Sequence, residues 1–317
     1  MSTPAPPPVQ TVPRWALGAI IVVHLCITSF NYIMVRPGLR EFAAPEAGLF
    51  AALPFALLRF LISSAVLWGV LLARRWRPVA GQDWWSLLWL AVLAVPLNQL
   101  PYLIGIGMVP PEHGALIYAT TPIWVLLVAR LLLGEPITKL KLIGIPLAFL
   151  GVCIVFFEHG VEFNNTLLGD LILVFGVLGW ALYSVQGKPL STRYGALQVT
   201  TLAISLGTVT FIPVMPHYLS RVDYGAISPL AWASLAYMAV LTSAVAYTLW
   251  YWLMGQMETG KVAVLQNLQP VFTILFTALL VDAGWAGLFA IQGHAITPVF
   301  LAGAALTLAG VLITQRG

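Results

Sequence analysis

Long apolar blocks, repeated along the whole chain, constrain the fold more than any other feature. A run of about 18 or more apolar residues is long enough to cross lipid as a helix. Such blocks occupy 15–35, 48–73, 84–108, 114–133, 140–157, 167–187, 197–215, 229–254, 262–280 and 296–314. In hydrocarbon every backbone N–H and C=O must find a partner within the protein, and a helix achieves this within one segment. The alternation that a membrane barrel requires is absent. Of the 317 residues, 60% are hydrophobic and 8% charged, against about 25% charged in soluble domains. The expected fold is an all-α membrane protein of ten transmembrane helices, with short loops and no separate soluble domain.

The segment 1–13 is polar and proline-rich and reads as a disordered tail. It lacks the basic start and cleavage site of a signal peptide, so the first block is expected to be retained. Cys26 and Cys153 lie inside apolar blocks and read as buried thiols rather than a disulfide.

Loop charge sets the expected orientation. With the amino terminus in the cytoplasm, Arg14, Arg74, Arg75, Arg77, Lys139, Lys141, Lys188, Arg193, Lys261 and Arg316 all face inward. Only Arg36, Arg40 and Arg221 face outward, and the loop with Glu158 and Glu162 carries no base. This asymmetry predicts that both termini are cytoplasmic.

The halves of the chain resemble each other. Ala115-Leu-Ile-Tyr-Ala-Thr-Thr-Pro122 leads into an apolar helix, and so does Ala263-Val-Leu-Gln-Asn-Leu-Gln-Pro270. Ile137-Thr138 is matched by Ile296-Thr297, and Gly144 and Gly151 by Gly303 and Gly310. Repeats covering 14–158 and 166–317, with five spans each, enter the membrane from opposite sides. This is the inverted-repeat architecture of many secondary carriers.

A carrier needs a polar patch at mid-membrane and a hinge. Pro96, Pro101, Pro122 and Pro270 fall within spans, where proline removes a hydrogen bond and kinks the helix. The repeat-matched Pro122 and Pro270 are the expected hinges. Beside them stand Asn98, Gln99, Tyr102, Tyr118, Gln266, Asn267 and Gln269. Amides are costly in hydrocarbon unless paired, so these should face the bundle interior, bonding each other or a solute. Trp180, Tyr183, Tyr247 and Trp250 would add an aromatic wall, suited to apolar, aromatic or cationic groups. Ionisable residues within spans are few. His24 and Arg59 are the possible charged cavity residues, with a satisfied structural role as the alternative for each. No carboxylate stands clearly at mid-span, which argues against strong coupling to protons or sodium.

An enzyme is not expected. The chain has no phosphate-binding glycine loop and no metal-ligand spacing, and its five histidines are scattered. No cofactor, metal or nucleic-acid partner is implied. The expected partners are a small-molecule substrate and the lipid bilayer, with a monomer as the working unit.

These motifs resemble the drug/metabolite transporter superfamily in its ten-helix EamA-type branch. The likeness rests on Gly114-Ala115-Leu116, Thr121-Pro122, Leu131-Leu-Leu-Gly134-Glu135, Ile137-Thr138, Gly144 and Gly151-Val152. Asn267-Leu-Gln-Pro270, Gly303 and Gly310-Val311 resemble the second copy, and Arg59-Phe60 a common feature of the second helix. The second half departs from the pattern. Val281-Asp282 replaces the Gly-Glu pair, and an extra segment, 282–295, includes Trp285, Phe289 and His294. In this the chain is similar to YddG-type aromatic amino-acid exporters. The resemblance implies efflux of amino acids across a bacterial inner membrane by alternating access, through a cavity formed by both halves. An exporter of drugs or quaternary cations is the alternative within the same fold, and a membrane-embedded enzyme the alternative outside it.

Overall fold

The computed structural model describes residues 12–44, 48, 50–74, 76–109, 117–158, 167–289 and 297–317, with the side chains of 107, 156–158 and 286 left aside. Most of the expected tail, Arg75, Gly114-Ala115-Leu116, Glu162, His294 and Ile296 lie outside the described residues, as does the Glu158 side chain.

The chain folds as a succession of helices. They are α1 (Arg14–Glu41), α2 (Leu53–Leu72), α3 (Gly81–Ile106), α4 (Thr121–Leu133), α5 (Lys139–Glu158) and α6 (Leu167–Tyr194). They continue with α7 (Ala196–Val209), α8 (Pro229–Gln256), α9 (Thr259–Asp282) and α10 (Pro298–Arg316). Among the described residues, seven helices are long and apolar enough to cross a membrane: α1, α2, α3, α6, α8, α9 and α10. The apolar helices α4 and α7 are shorter, and α5 has 20 residues.

Local chemistry explains where these helices begin and stop. Ser228 caps α8 by accepting from Ala231 N, and Thr297 caps α10 by accepting from Phe300 N at 3.0 Å. Thr138, the repeat counterpart of Thr297, accepts from Lys141 N at 3.2 Å at the start of α5. Gly134 ends α4 in the left-handed region, at φ +67°, where a side chain would be strained.

Pro122 and Pro270 sit differently from expectation. Pro122 occupies the first turn of α4, and Pro270 the first turn of the α-helical stretch Gln269–Asp282 that follows a 3₁₀ stretch within α9. Proline is well tolerated there because the first-turn N–H has no intrahelical acceptor. The irregularity lies just upstream, in a turn at 119–120 and in a tight 3₁₀ stretch over Val264–Leu268. Pro96 lies in a π-helical turn of α3, Val95–Gln99. A longer π stretch, Tyr237–Ala246, interrupts α8. Such turns are frequent where a helix serves a functional site.

The matched glycines meet face to face. A Cβ on Gly144 would lie 2.6 Å from Gly310 O, and one on Gly151 would lie 2.6 Å from Gly303 O. The two helices α5 and α10 therefore run antiparallel, in close backbone contact. Each matched glycine opposes the other glycine of its counterpart helix, Gly144 against Gly310 and Gly151 against Gly303.

Carboxylates at both ends of the bundle hold neighbouring elements together. At one end Arg193 Nη1 reaches Asp83 Oδ2 at 2.5 Å, Lys188 Nζ reaches Glu135 Oε1 at 2.8 Å, and Lys141 pairs with Glu258. At the opposite end, Glu41 accepts from Ser228 N at 2.7 Å and Ser228 Oγ at 2.9 Å.

Candidate functional site

A cavity of about 100 Å³ opens among α1, α2, α3, α6, α8, α9 and the turn before α4. A single water needs about 10–15 Å³ of such space, so a small solute fits. His24, Thr28, Asn31 and Tyr32 line it from α1, and Arg59 from α2. Asn98, Gln99 and Tyr102 come from α3, Tyr118 and Ala119 from the turn before α4, and Trp180 from α6. Thr242 and Tyr247 of α8 and Gln266, Gln269 and Pro270 of α9 complete the wall.

The irregular turns bring these side chains together. The π turn holding Pro96 presents Asn98, whose Nδ2 donates to Gly176 O of α6 at 2.9 Å. That bond requires close approach of two backbones. A Cβ on Gly179 would collide with the Leu97 carbonyl, so glycine admits α3 against α6. Gln99 Nε2 donates to Asn98 Oδ1 at 2.6 Å, and the Tyr102 and Tyr118 rings meet edge to face at 5.2 Å. Across the cavity Gln269 Nε2 donates to Thr28 Oγ1 at 3.1 Å, and Tyr32 OH donates to Gln269 Oε1 at 3.4 Å.

Several polar atoms on this wall have no protein hydrogen-bond partner: Asn31 Oδ1, Gln99 Oε1, Tyr102 OH, Arg59 Nη1 and both ring nitrogens of His24. Tyr102 and Asn31 are neighbours, as are His24 and the Ala246 backbone, but neither pair has full hydrogen-bond geometry. Arg59 is anchored by its Nε, which donates to Ser243 Oγ at 2.7 Å, and its Cζ lies 5.1 Å from the Phe60 ring centroid. Ser243 in turn donates to Met238 O, five residues earlier, a reach that the π stretch of α8 provides. No Asp or Glu lines the cavity among the described residues. No group of three His, Cys, Asp or Glu there could hold a metal ion.

Not every expected residue reaches the cavity. Trp180 and Tyr247 do, but Tyr183 and Trp250 pack behind them, 5.4 Å from the Trp180 ring centroid. Tyr251 adds a further ring 4.9 Å from Tyr183 and donates to the Tyr183 carbonyl at 2.8 Å. Trp250 Nε1 donates to Ser184 Oγ at 3.0 Å, and its ring stacks on His24 at 5.7 Å. This cluster forms an aromatic floor to the cavity on the side of Lys188 and Glu135. Asn267 is fully buried away from the cavity, and Pro122 does not line it. The lining residues Thr28, Asn31, Tyr32 and Thr242 were not anticipated.

Beyond the floor lies a polar clasp. Glu135, in the turn after α4, accepts from Thr259 N at 3.0 Å, from Thr259 Oγ1 at 2.6 Å and from Lys188 Nζ at 2.8 Å. Lys188 also donates to Met257 O at 3.0 Å. Burial alone would raise the Glu135 carboxyl, but the bonds from Lys188 and Thr259 and the lysine charge outweigh it and hold the carboxyl below its usual range. Nearby, the fully buried Lys141 donates to Pro136 O at 3.0 Å and pairs with Glu258.

Comparison with known proteins accounts for nearly the whole chain. A solved crystal structure superposes with a TM-score of 0.72 at 18% identity, over 96% of this chain and 98% of that one, which is a likeness of fold. An uncharacterized transporter of Archaeoglobus fulgidus is 28% identical over 81% of this chain and 86% of its own length. A probable terminal-alkyne amino-acid exporter of Streptantibioticus cattleyicolor is 28% identical, over 66% of this chain and 65% of its own. A probable amino-acid metabolite efflux pump of Escherichia coli is 26% identical, over 62% and 69%. The family model for EamA-like transporters matches twice, at residues 21–157 and 167–315. With two such repeats, helices built for lipid and a cavity lined by polar and aromatic side chains, this chain belongs to the EamA-like transporter family.

Proposed function

We propose that this transporter exports neutral amino acids, aromatic ones foremost, by alternating access between two inverted five-span repeats, 14–158 and 166–317. The observation that carries the reading is the cavity, which draws its wall from both halves of the chain and joins a polar patch to an aromatic one. Asn98, Gln99, Tyr118 and Gln266 bind the amino-acid head group. Tyr102, Trp180 and Tyr247 face the side chain, and Tyr183 and Trp250 support that wall from behind. The amino-acid exporters among the relatives support the substrate class.

Inverted topology is supported by the antiparallel contact of α5 with α10 through the matched glycines. Placement in a bacterial plasma membrane with both termini cytoplasmic follows from the loop charges, since the basic end is the one expected inside. The state described is then closed toward the cytoplasm by the aromatic floor and the Glu135–Lys188–Thr259 clasp. In the opposite state the clasp opens, and the breaks ahead of Pro122 and Pro270 absorb the motion. Binding is weak by design. A millimolar dissociation constant is about −4 kcal/mol, and a deeper well would slow release. A quaternary-cation exporter is less well served, because the lining holds Arg59 and no carboxylate among the described residues.

The test is counterflow of labelled phenylalanine, leucine and alanine in proteoliposomes of the purified monomer. Exchange well above empty vesicles is expected for phenylalanine. Absence of flux for every amino acid, with flux of a quaternary cation, would overturn the substrate class.

A further inference from the structure

Three charged side chains are buried among the described residues: Arg59, Asp83 and Lys141. Two are paired. Asp83 accepts from Arg193 and from Tyr194 OH, each at 2.5 Å, and Lys141 is held by Glu258. Arg59, only 1% exposed, has no carboxylate partner. A buried ion is costly unless another charge or a full set of hydrogen bonds compensates it. Arg59 has one neutral hydroxyl, Ser243 Oγ, on Nε, and Nη1 has no acceptor. Its ionisable neighbours are the phenols of Tyr102 and Tyr247. It lines the cavity, whose other titratable groups are His24, Tyr32, Tyr102, Tyr118 and Tyr247.

We propose that Arg59 reads a carboxylate on the transported solute, so that the cavity takes a small carboxylate-bearing molecule and rejects cations. The inference rests on the reading of this cavity as the transport site and names the group that confers its specificity. A guanidinium presents a planar fork of donors that matches a carboxylate, which an ammonium cannot reproduce. Ser243 fixes the fork through Nε and leaves Nη1 free for the incoming anion. The π stretch of α8 is what sets Ser243 at that depth. The cavity also has a second pole. Asn31 Oδ1 and Gln99 Oε1 are buried acceptors without protein donors, and they offer a zwitterion's ammonium neutral oxygens rather than a competing carboxylate. An acid without an ammonium satisfies only the first pole.

The test compares four probes of one shape: L-phenylalanine, 3-phenylpropanoate, L-phenylalanine methyl ester and phenethylamine. Binding to the purified protein is followed by tryptophan fluorescence, since Trp180 lines the cavity. The two carboxylates should bind at least about tenfold tighter than the ester and the amine, and tetraethylammonium should not compete. In Arg59→Gln the acid-to-ester ratio should fall close to one, and Arg59→Lys should lie between. A ratio is independent of how much of a preparation is folded. If Arg59→Gln fails to fold, the wild-type ratio and the lysine variant decide. Equal binding of acid and ester by the wild type, or a wild-type ratio in Arg59→Gln, would overturn the proposal, as would no binding by any probe. Flux measured beside binding separates the two readings. Arg59-dependent selection of carboxylates without flux would remove the transport site alone. Flux of phenylalanine and its ester at equal rates would remove the role of Arg59 alone.

Discussion

Lys188 Nζ lies 2.8 Å from Glu135 Oε1, joining α6 of the second repeat to the turn after α4 of the first. The same carboxylate receives the backbone N–H and hydroxyl of Thr259 at the start of α9. Acids are favoured at helix N-termini because unsatisfied N–H groups converge there. Glu135 thus ties three elements at one end of the bundle, the end that the proposed cycle opens and closes. Replacing Glu135 by Gln keeps a hydrogen-bonding oxygen and removes the charge. Losing a charge-assisted bond of this kind costs about 1–2 kcal/mol, a several-fold shift toward the open state at this end. The measurement is thiol labelling of Ser184→Cys, buried under Trp250, in a background without Cys26 and Cys153. E135Q should raise the labelling rate from this side several-fold, and an unchanged rate would show that the clasp does not gate.

The clasp also has a defined pH dependence. Its carboxyl titrates below the usual range once the bonds from Lys188 and Thr259 have offset burial. A group whose pKa is depressed in the closed form stabilises it fully above its ordinary value, about 4.3, and loses that contribution as pH falls through the lowered value. Glu135 therefore contributes nothing to pH dependence between pH 6 and 8. Labelling of the same Ser184→Cys reporter should be flat across that range and rise only on strong acidification. A step near neutrality that survives in E135Q would point to another group.

Part of this arrangement was legible from residue order and part was not. His24 and Arg59 stood out because a charge or an imidazole inside an apolar block must face the interior. The matched glycines marked the repeat in the sequence, whereas their close backbone contact, which only a missing Cβ permits, emerged from the structure. The rest of the α1 contribution was missed although its signal was present. Thr28, Asn31 and Tyr32 follow His24 by four, seven and eight residues, which is one face of a helix. Tyr183 and Trp250 were assigned to the wall because an aromatic side chain looks the same whether it faces a solute or another ring. Which ring is wet depends on helix rotation, and neighbouring helices fix that. The Glu135–Lys188 pair is 53 residues apart in sequence, and no local pattern signals it.

The glycine contact gives a stability prediction. A Cβ on Gly151 would lie 2.5 Å from Thr307 N and 2.6 Å from Gly303 O, both backbone atoms that cannot step aside. Gly151→Val should separate α5 from α10 and cost about 1–3 kcal/mol, seen as a lower melting temperature in detergent. Gly18 has nothing within 4 Å of a built Cβ. Gly18→Ala should therefore be neutral or stabilise slightly through helix propensity, by less than about 1 kcal/mol. Equal melting temperatures for the two variants would mean that the matched glycines are not a packing device.

Trp180 gives the sharpest test of the aromatic wall. Its ring lies 5.2 Å from Tyr247, on the cavity, and 5.4 Å from both Tyr183 and Trp250, on the floor. It therefore lines the cavity on one side and packs against the aromatic floor on the other. Trp180→Phe retains a ring and should preserve selectivity for aromatic over aliphatic amino acids. Trp180→Ala removes a stacking partner worth about 0.5–1.5 kcal/mol, so KM for phenylalanine should rise about two- to tenfold while that for alanine changes little. The same truncation opens the floor toward Lys188 and Glu135, and should also raise Ser184→Cys labelling. A change in labelling without a change in the phenylalanine-to-alanine ratio would make Trp180 part of the seal and not of the binding wall.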